Sequence, residues 1–216
     1  MDGRWPSRWP NSVVSSNALN VADAVRARRM TRAFSSEPLE SEIVDDLLDL
    51  ATRAPSAGKS QGWHFVVLDG ERTQRFWDAT LSADKRASFA WPRLLDAPVI
   101  ILPFADPGQY LERYSQSDKA ATGLGEGVEN WPAPYWTIDT SFAVMTLLLA
   151  ATERGLGALF FGVFNGETEV RALVGAPEEV QLLGAIALGW PLNEERSGRS
   201  AARSRKFGEV IHRNTW

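Results

Sequence analysis

Cysteine is absent from this 216-residue chain, and histidine occurs only at positions 64 and 212. The first absence excludes disulfides, thiolate catalysis and Cys-ligated zinc or iron–sulfur sites; the second argues against a histidine-rich metal site. Long hydrophobic runs are missing as well. The most apolar stretch, FAVMTLLLAA from Phe142 to Ala151, is about half of what a bilayer span needs, and reads as a buried core helix. The opening MDGRWPSRWPNSVVSSNALN has no apolar run of the signal-peptide kind. Nor is there an excess of positive charge. Lys and Arg number 23 against 27 Asp and Glu, a net charge of −4, which argues against a general nucleic-acid binder. The expectation is a soluble cytoplasmic protein without a membrane or nucleic-acid partner.

What the chain has is a 44% hydrophobic composition, enough for one domain with a proper core, and many aromatics: nine Trp and ten Phe. Core packing accounts for most aromatics in such a chain, but interfaces and stacking pockets also select them.

Residues 1–16 repeat an Arg-Trp-Pro triplet without periodicity and read as an extended arm. From 17 to 216 no segment has the composition of a linker, so a single domain is expected. NVADAVRARR predicts a helix capped by Asn20, and SEIVDDLLDLATRAP an amphipathic helix that Pro55 stops. HFVVLDG, APVIILPFA, ALFFGVF and QLLGAIALGWP read as strands, about four in all. TQRFWDATLS and GETEVRALVG read as helices, and TIDTSFAVMTLLLAATERGLG as the central helix with Gly155 at its C-terminal cap. Residues 109–136 form the least regular stretch, rich in Gly, Pro, Trp and Tyr, and are expected to be a lid.

Three segments can carry chemistry. RRMTRAF, from Arg28 to Phe34, sets three arginines in five positions. They are either a solvated helix end meeting the dipole, or a clamp for a phosphate, whose oxygens match guanidinium forks. Arg28 and Arg32 converge if the helix carries on one more turn. RAPSAGKSQGWHFVVL supplies small side chains and free backbone N–H groups, so that a flat ligand can approach the backbone. GLGALFFGVFNG contains a Gly pair, but it follows a helix and precedes a strand, the reverse of a dinucleotide-binding turn, and that motif is rejected. The neighbouring carboxylates Asp45/Asp46 and Glu194/Glu195 do not make a glycosidase pair.

Taken in order and spacing, RRMTRAF, APSAGKSQGWHFVVL, GLGALFFGVF, LLGAIALGWP and RSRKFGEVIH resemble the FMN-dependent nitroreductase family over about residues 20–213. The resemblance implies an α+β fold with a mixed, mainly antiparallel sheet flanked by helices, in an intertwined homodimer with FMN at the subunit seam. It implies that the arginines await the FMN phosphate. Arg28 and Arg29 match the paired arginines of the family's motif, Met30 stands where the family has a serine, and Arg32 matches the arginine directed at the flavin N1 edge. Arg203 and Arg205, with Lys206 as an alternative, match a basic pair completing the phosphate site. Pro55, Ser56, Ala57 and Gly58, with Lys59 and Gln61, match a loop that covers the partner subunit's flavin; Lys59 replaces the usual Asn and Gly62 the usual Pro. Phe161, Gly162 and Val163 match the segment against the flavin face, the Gly162 backbone lying near N5. The implied reaction is ping-pong hydride transfer from NAD(P)H to a nitroaromatic, quinone or similar small acceptor, with no catalytic side chain and no metal. Relatives also run dehalogenation, heterocycle dehydrogenation or flavin destruction, and a non-catalytic flavin binder is a further alternative. In the lid, Tyr110, Tyr114, Trp131 and Trp136, with Arg113, Lys119 and Tyr135, are candidates to contact the acceptor or simply to fold the segment onto the protein.

Overall fold

Asn20 starts the first helix as its residue type dictates: its side-chain oxygen accepts the Asp23 backbone N–H at 3.1 Å, satisfying a donor that the helix itself cannot. The computed structural model describes residues 19–192 and 210–216. The arm expected at 1–16 and the cations Arg203, Arg205 and Lys206 lie outside the described residues.

Helix α1 (Val21–Ala27) is followed by α2 (Ser41–Ala51), β1 (Trp63–Asp69), α3 (Glu71–Thr80) and α4 (Ala83–Arg86). Then come β2 (Val99–Ala105), α5 (Pro107–Tyr114), α6 (Tyr135–Glu153) and β3 (Gly157–Phe161), and finally α7 (Glu167–Val174), β4 (Gln181–Leu182) and β5 (Ala185–Gly189). The sheet runs β1-β2-β5-β3, with the short β4 also on β2. Its ladders are antiparallel, and a parallel bridge joins Met30 to Ala158 on β3.

Strand β2 shows why the sheet is enclosed. All seven of its residues are buried. By the period of two, Val99 and Ile101 enter the core beneath α2 and α6, whereas Ile100, Leu102 and Phe104 enter the core with Phe76 and Trp77 of α3 and Val170 of α7. The layers are therefore α2/α6, sheet, α3/α7. Gly155 ends α6 as expected, at φ +72°.

Two strand readings change. QLLGAIALGWP is broken in two at Gly184, whose φ is +145° and where a Cβ would stand 2.4 Å from the Phe161 carbonyl oxygen. That makes five strands rather than four. ALFFGVF leaves the sheet after Phe161, so Gly162 and Val163 belong to the loop beyond the strand. Residues 109–136 are also more ordered than their composition suggests: α5 takes the first part, and short 3-10 turns at Ala120–Thr122 and Val128–Asn130 take the rest.

Candidate functional site

The arginine segment does not continue α1. The helix stops at Ala27 and Arg28 is already extended, at φ −50° and ψ 131°, so Arg28 and Arg32 do not converge on a helix face. Instead the segment runs along the edge strand β3. The Thr31 N–H donates to the Ala158 carbonyl at 3.0 Å, and Gly157 is a glycine because a Cβ there would meet Thr31 Cγ2 at 2.7 Å.

Each arginine has its own surroundings. Arg28 is half-buried, and its Nη1 is buried with no hydrogen-bond partner among the described residues. Arg29 turns back, donating from Nη1 to the carbonyls of Arg26 and Arg28 at the end of α1, a favourable place for a cation. Arg32 reaches forward. Its Nη1 donates to the Met30 carbonyl at 3.1 Å, and its guanidinium lies 5.2 Å from the centre of the Trp91 ring.

Beside Arg32 opens a cavity of about 270 Å³, lined among others by Trp77, Trp91, Phe161, Gly162 and Val163. Trp77 and Phe161 stack with ring centres 5.7 Å apart and planes 5° from parallel, which locks the end of β3 in place. Phe164, 91% exposed, stands at the rim. Arg32, Phe161, Gly162 and Val163 are thus brought together. Trp77, Trp91 and Phe164 were not named as members of this site; Phe164 closes the GLGALFFGVF motif, whereas the only signal for Trp77 and Trp91 is the surplus of aromatic residues.

The loop Pro55–Gln61 lies elsewhere. It leads into β1, at the opposite edge of the sheet from β3, three strand spacings or about 14 Å across the sheet. A single chain therefore does not join the two groups of candidates. The loop is tightly bound at its own end. The Ala57 N–H donates to Asp139 Oδ2 at 2.8 Å, the same oxygen that accepts the Tyr110 hydroxyl at 2.8 Å. Arg113 Nε donates to the Gly58 carbonyl at 2.9 Å, and the Gln61 N–H donates to Ser56 Oγ at 3.0 Å.

The lid candidates divide accordingly. Tyr110 is fully buried, and Trp131 is enclosed by Tyr110, Tyr114, Tyr135 and Trp136, with ring centres 4.7–6.2 Å away, while its Nε1 donates to the Leu124 carbonyl. These two rings are spent on holding 109–136 together, the second of the two roles that the sequence left open for them. Tyr114 and Trp136 are half-buried in the same cluster. Burial, and then the hydrogen bond to Asp139, push the Tyr110 hydroxyl well above the ordinary tyrosine pKa. Arg113 is further held by both oxygens of Asp118 at 2.8 Å, and Lys119 lies 5.7 Å over the Tyr114 ring.

Among the described residues no three His, Cys, Asp or Glu side chains cluster as metal ligands, and no helix is long and apolar enough to cross a membrane.

Residues 25–190 match the model of the nitroreductase family. The chain belongs to that family. It is 30% identical to the 5,6-dimethylbenzimidazole synthase of Rhodospirillum rubrum over 181 residues, 77% of this chain and 80% of the relative. It is 27% identical to the NADH dehydrogenase of Thermus thermophilus over 190 residues, 82% of this chain and 89% of that one. Its fold is also that of an iodotyrosine deiodinase solved with FMN and 3-iodo-L-tyrosine, with a TM-score of 0.62 and 23% identity, covering 91% of this chain and 100% of the deiodinase chain. As a nitroreductase-family chain it has the α+β architecture that its five sequence motifs imply.

Proposed function

We propose that this nitroreductase-family protein is an FMN-dependent oxidoreductase that passes hydride from NADH or NADPH to a nitroaromatic, quinone or similar acceptor, the two substrates using one site in turn. The observation that carries the reading is the β3 edge. Along it lie a buried Arg28 nitrogen with no acceptor among the described residues and a cavity walled by aromatic rings with Arg32 at its border. An anion answers the first and a flat ring the second, and FMN has both.

When bound, FMN supplies hydride acceptance and donation at N5. The protein's part is position and charge. Arg28 would hold the phosphate through charge-assisted bonds, each worth about 1.5–3 kcal/mol; Arg203 and Arg205, which the family resemblance adds, lie outside the described residues. Arg32 places a cation beside the ring, where it favours the reduced, negatively charged cofactor. The Gly162 backbone N–H, at the cavity wall, would be the donor to N5 that the family resemblance implies. Arg29, engaged with the end of α1, acts through the segment's shape.

The second half of the site comes from a second copy. The loop Pro55–Gln61 stands at the far sheet edge, so covering the ring falls to the partner's loop. Phe142 and Met145 on α6 are 48% and 40% exposed, with Val21 and Val25 of α1 also exposed, an apolar surface suited to that copy. The similarity to 5,6-dimethylbenzimidazole synthase favours a second reading in which the same site runs another flavin chemistry.

Titrating the purified chain with FMN, then with NADH and NADPH without oxygen, then with a panel of acceptors, separates these readings. One FMN per chain, bleaching by a nicotinamide and recolouring by a nitroaromatic or quinone are expected. Arg28→Glu is expected to weaken FMN binding at least tenfold. A chain that ignores FMN, or an Arg28→Glu variant that binds it at parent affinity, overturns the proposal.

A further inference from the structure

The segment Ser56–Gln61 is held in a conformation its residues disfavour. Gly58, Lys59 and Gln61 have φ of +61°, +59° and +52°. Only the first is a glycine, and left-handed Lys and Gln persist only where their surroundings over-determine the backbone. The surroundings here can be named. Inside the segment, Ser56 accepts twice, from the Gln61 N–H at Oγ and from the Lys59 N–H at its carbonyl. From outside, Asp139 of α6 takes the Ala57 N–H, and Arg113 of α5 donates to the Gly58 carbonyl. Asp139 is 3% exposed and is oriented by the Tyr110 hydroxyl.

The backbone also lies directly on two rings. A Cβ on Gly58 would meet Tyr114 Cε2 at 2.8 Å, and one on Gly62 would meet Tyr110 Cε2 at 2.6 Å. The ties to the backbone of Ala57 and Gly58 come from α6 and α5, with a longer one from Gln61 Nε2 to the Thr52 carbonyl at the end of α2, while Pro55, Lys59 and Gln61 are exposed.

We infer that Tyr110, Asp139 and Arg113 are positioning residues that clamp the strained segment Ser56–Gln61 in a preformed shape for covering a flavin bound to the partner subunit. This rests on the FMN reading above. The three residues touch neither flavin nor acceptor; they act through the backbone of the segment. Their consequence lies in retention of the cofactor, because a preformed cover loses less freedom on closing over the ring than a loose one. Loosening the clamp in one protomer weakens the grip on the flavin of the other.

Tyr110→Phe removes one hydroxyl and keeps the ring on Gly62; Arg113→Met removes the donor to Gly58 while keeping an unbranched stem, and Arg113→Lys restores a cationic donor. In protein freed of FMN, amide exchange at Ala57–Gln61 is expected to accelerate at least tenfold in Tyr110→Phe and Arg113→Met, and to return toward the parent in Arg113→Lys. In FMN-loaded protein, held well below its melting temperature, FMN dissociation is expected to rise at least fivefold in the same order, with altered visible circular dichroism of the flavin. Unchanged exchange overturns the clamp. Faster exchange with parent FMN dissociation reduces the residues to a structural role and overturns the positioning claim. A parent chain that takes up no FMN overturns the flavin reading and the role built on it, while the exchange measurement still decides whether the clamp exists.

Discussion

The ring of Tyr110 occupies the space that a side chain on Gly62 would need: an added Cβ would lie 2.6 Å from Cε2, and 2.7 Å from the Asp106 carbonyl oxygen behind it. The Gly62 carbonyl in turn accepts the Asp106 N–H at 2.8 Å, so the contact is pinned from both sides. Where the family motif has proline, this chain has glycine because α5 sits on it. Gly62→Ala is expected to cost about 1–3 kcal/mol, the usual penalty of overpacking, measured by urea unfolding. Adding Tyr110→Ala to it should not restore the parent stability, since the backbone oxygen of Asp106 remains in the way.

The other departure in the motif has the opposite sign. Lys59 is exposed and left-handed at φ +59°, a conformation that Asn tolerates better than Lys. Lys59→Asn, which restores the family's residue, is expected to raise stability by a few tenths to about 1 kcal/mol. A shift of the urea midpoint to higher concentration at unchanged slope is the readout; a lower midpoint would mean that Lys59 makes a contribution its backbone does not reveal.

Local features were legible because they depend on neighbours in the chain. Asn20 as N-cap, the wholly apolar β2 and Gly155 closing α6 all follow from residue type and spacing. The sheet order was not, because β5 enters between β2 and β3 through pairings from opposite parts of the chain. The same non-locality hid the distribution of the site. RRMTRAF reads as a helix end, yet its bridge to Ala158 turns it into an edge segment; Trp91 joins Arg32 from across 59 positions of sequence, with no motif to announce it. Residues 109–136 left two readings open. Their aromatic content suggests ligand stacking, but Trp131 sits among four other rings and uses that content for itself.

Arg28 offers a trade between stability and binding. A buried donor with no partner costs a fold about 1–3 kcal/mol, and Arg28 Nη1 has none among the described residues. Arg28→Met keeps much of the aliphatic stem and removes the donor. It is expected to unfold at higher urea than the parent when both are free of FMN, and to bind FMN at least tenfold more weakly. If the FMN-free variant is instead less stable, Arg28 serves the fold rather than the ligand.

Tyr110 gives the stability curve an alkaline limb. Its folded pKa is raised by burial and by the bond to Asp139. Its contribution is therefore complete below the unfolded value of about 10, and is lost as pH rises from there toward the folded value. Over that interval the unfolded chain releases a proton that the folded chain keeps, a slope of up to about 1.4 kcal/mol per pH unit. Tyr110→Phe is less stable at neutral pH but lacks this limb, so the gap between parent and variant should narrow above pH 10 in urea titrations. A constant gap would mean that Tyr110 ionises freely in the folded protein.

If two copies share the flavin site as proposed, the exposed face of α6 is where they meet. Phe142 and Met145 lie on it at 48% and 40% exposure, on a helix whose opposite residues, Ala143, Val144, Leu147 and Leu148, are buried against the sheet. A helix apolar on both sides needs cover on both, and the described residues provide it on one. If a second copy supplies the rest, Phe142→Glu with Met145→Glu places two carboxylates in the seam, each costly to desolvate. Sedimentation should then show monomers where the parent is dimeric, and flavin should be lost with the dimer although Arg28, Arg32 and Gly162 are untouched. A double variant that sediments as a dimer and keeps its flavin would place the seam on another surface. Monomers that keep flavin would mean that the β3 edge binds it alone, and that the loop at the far edge has no part in the site.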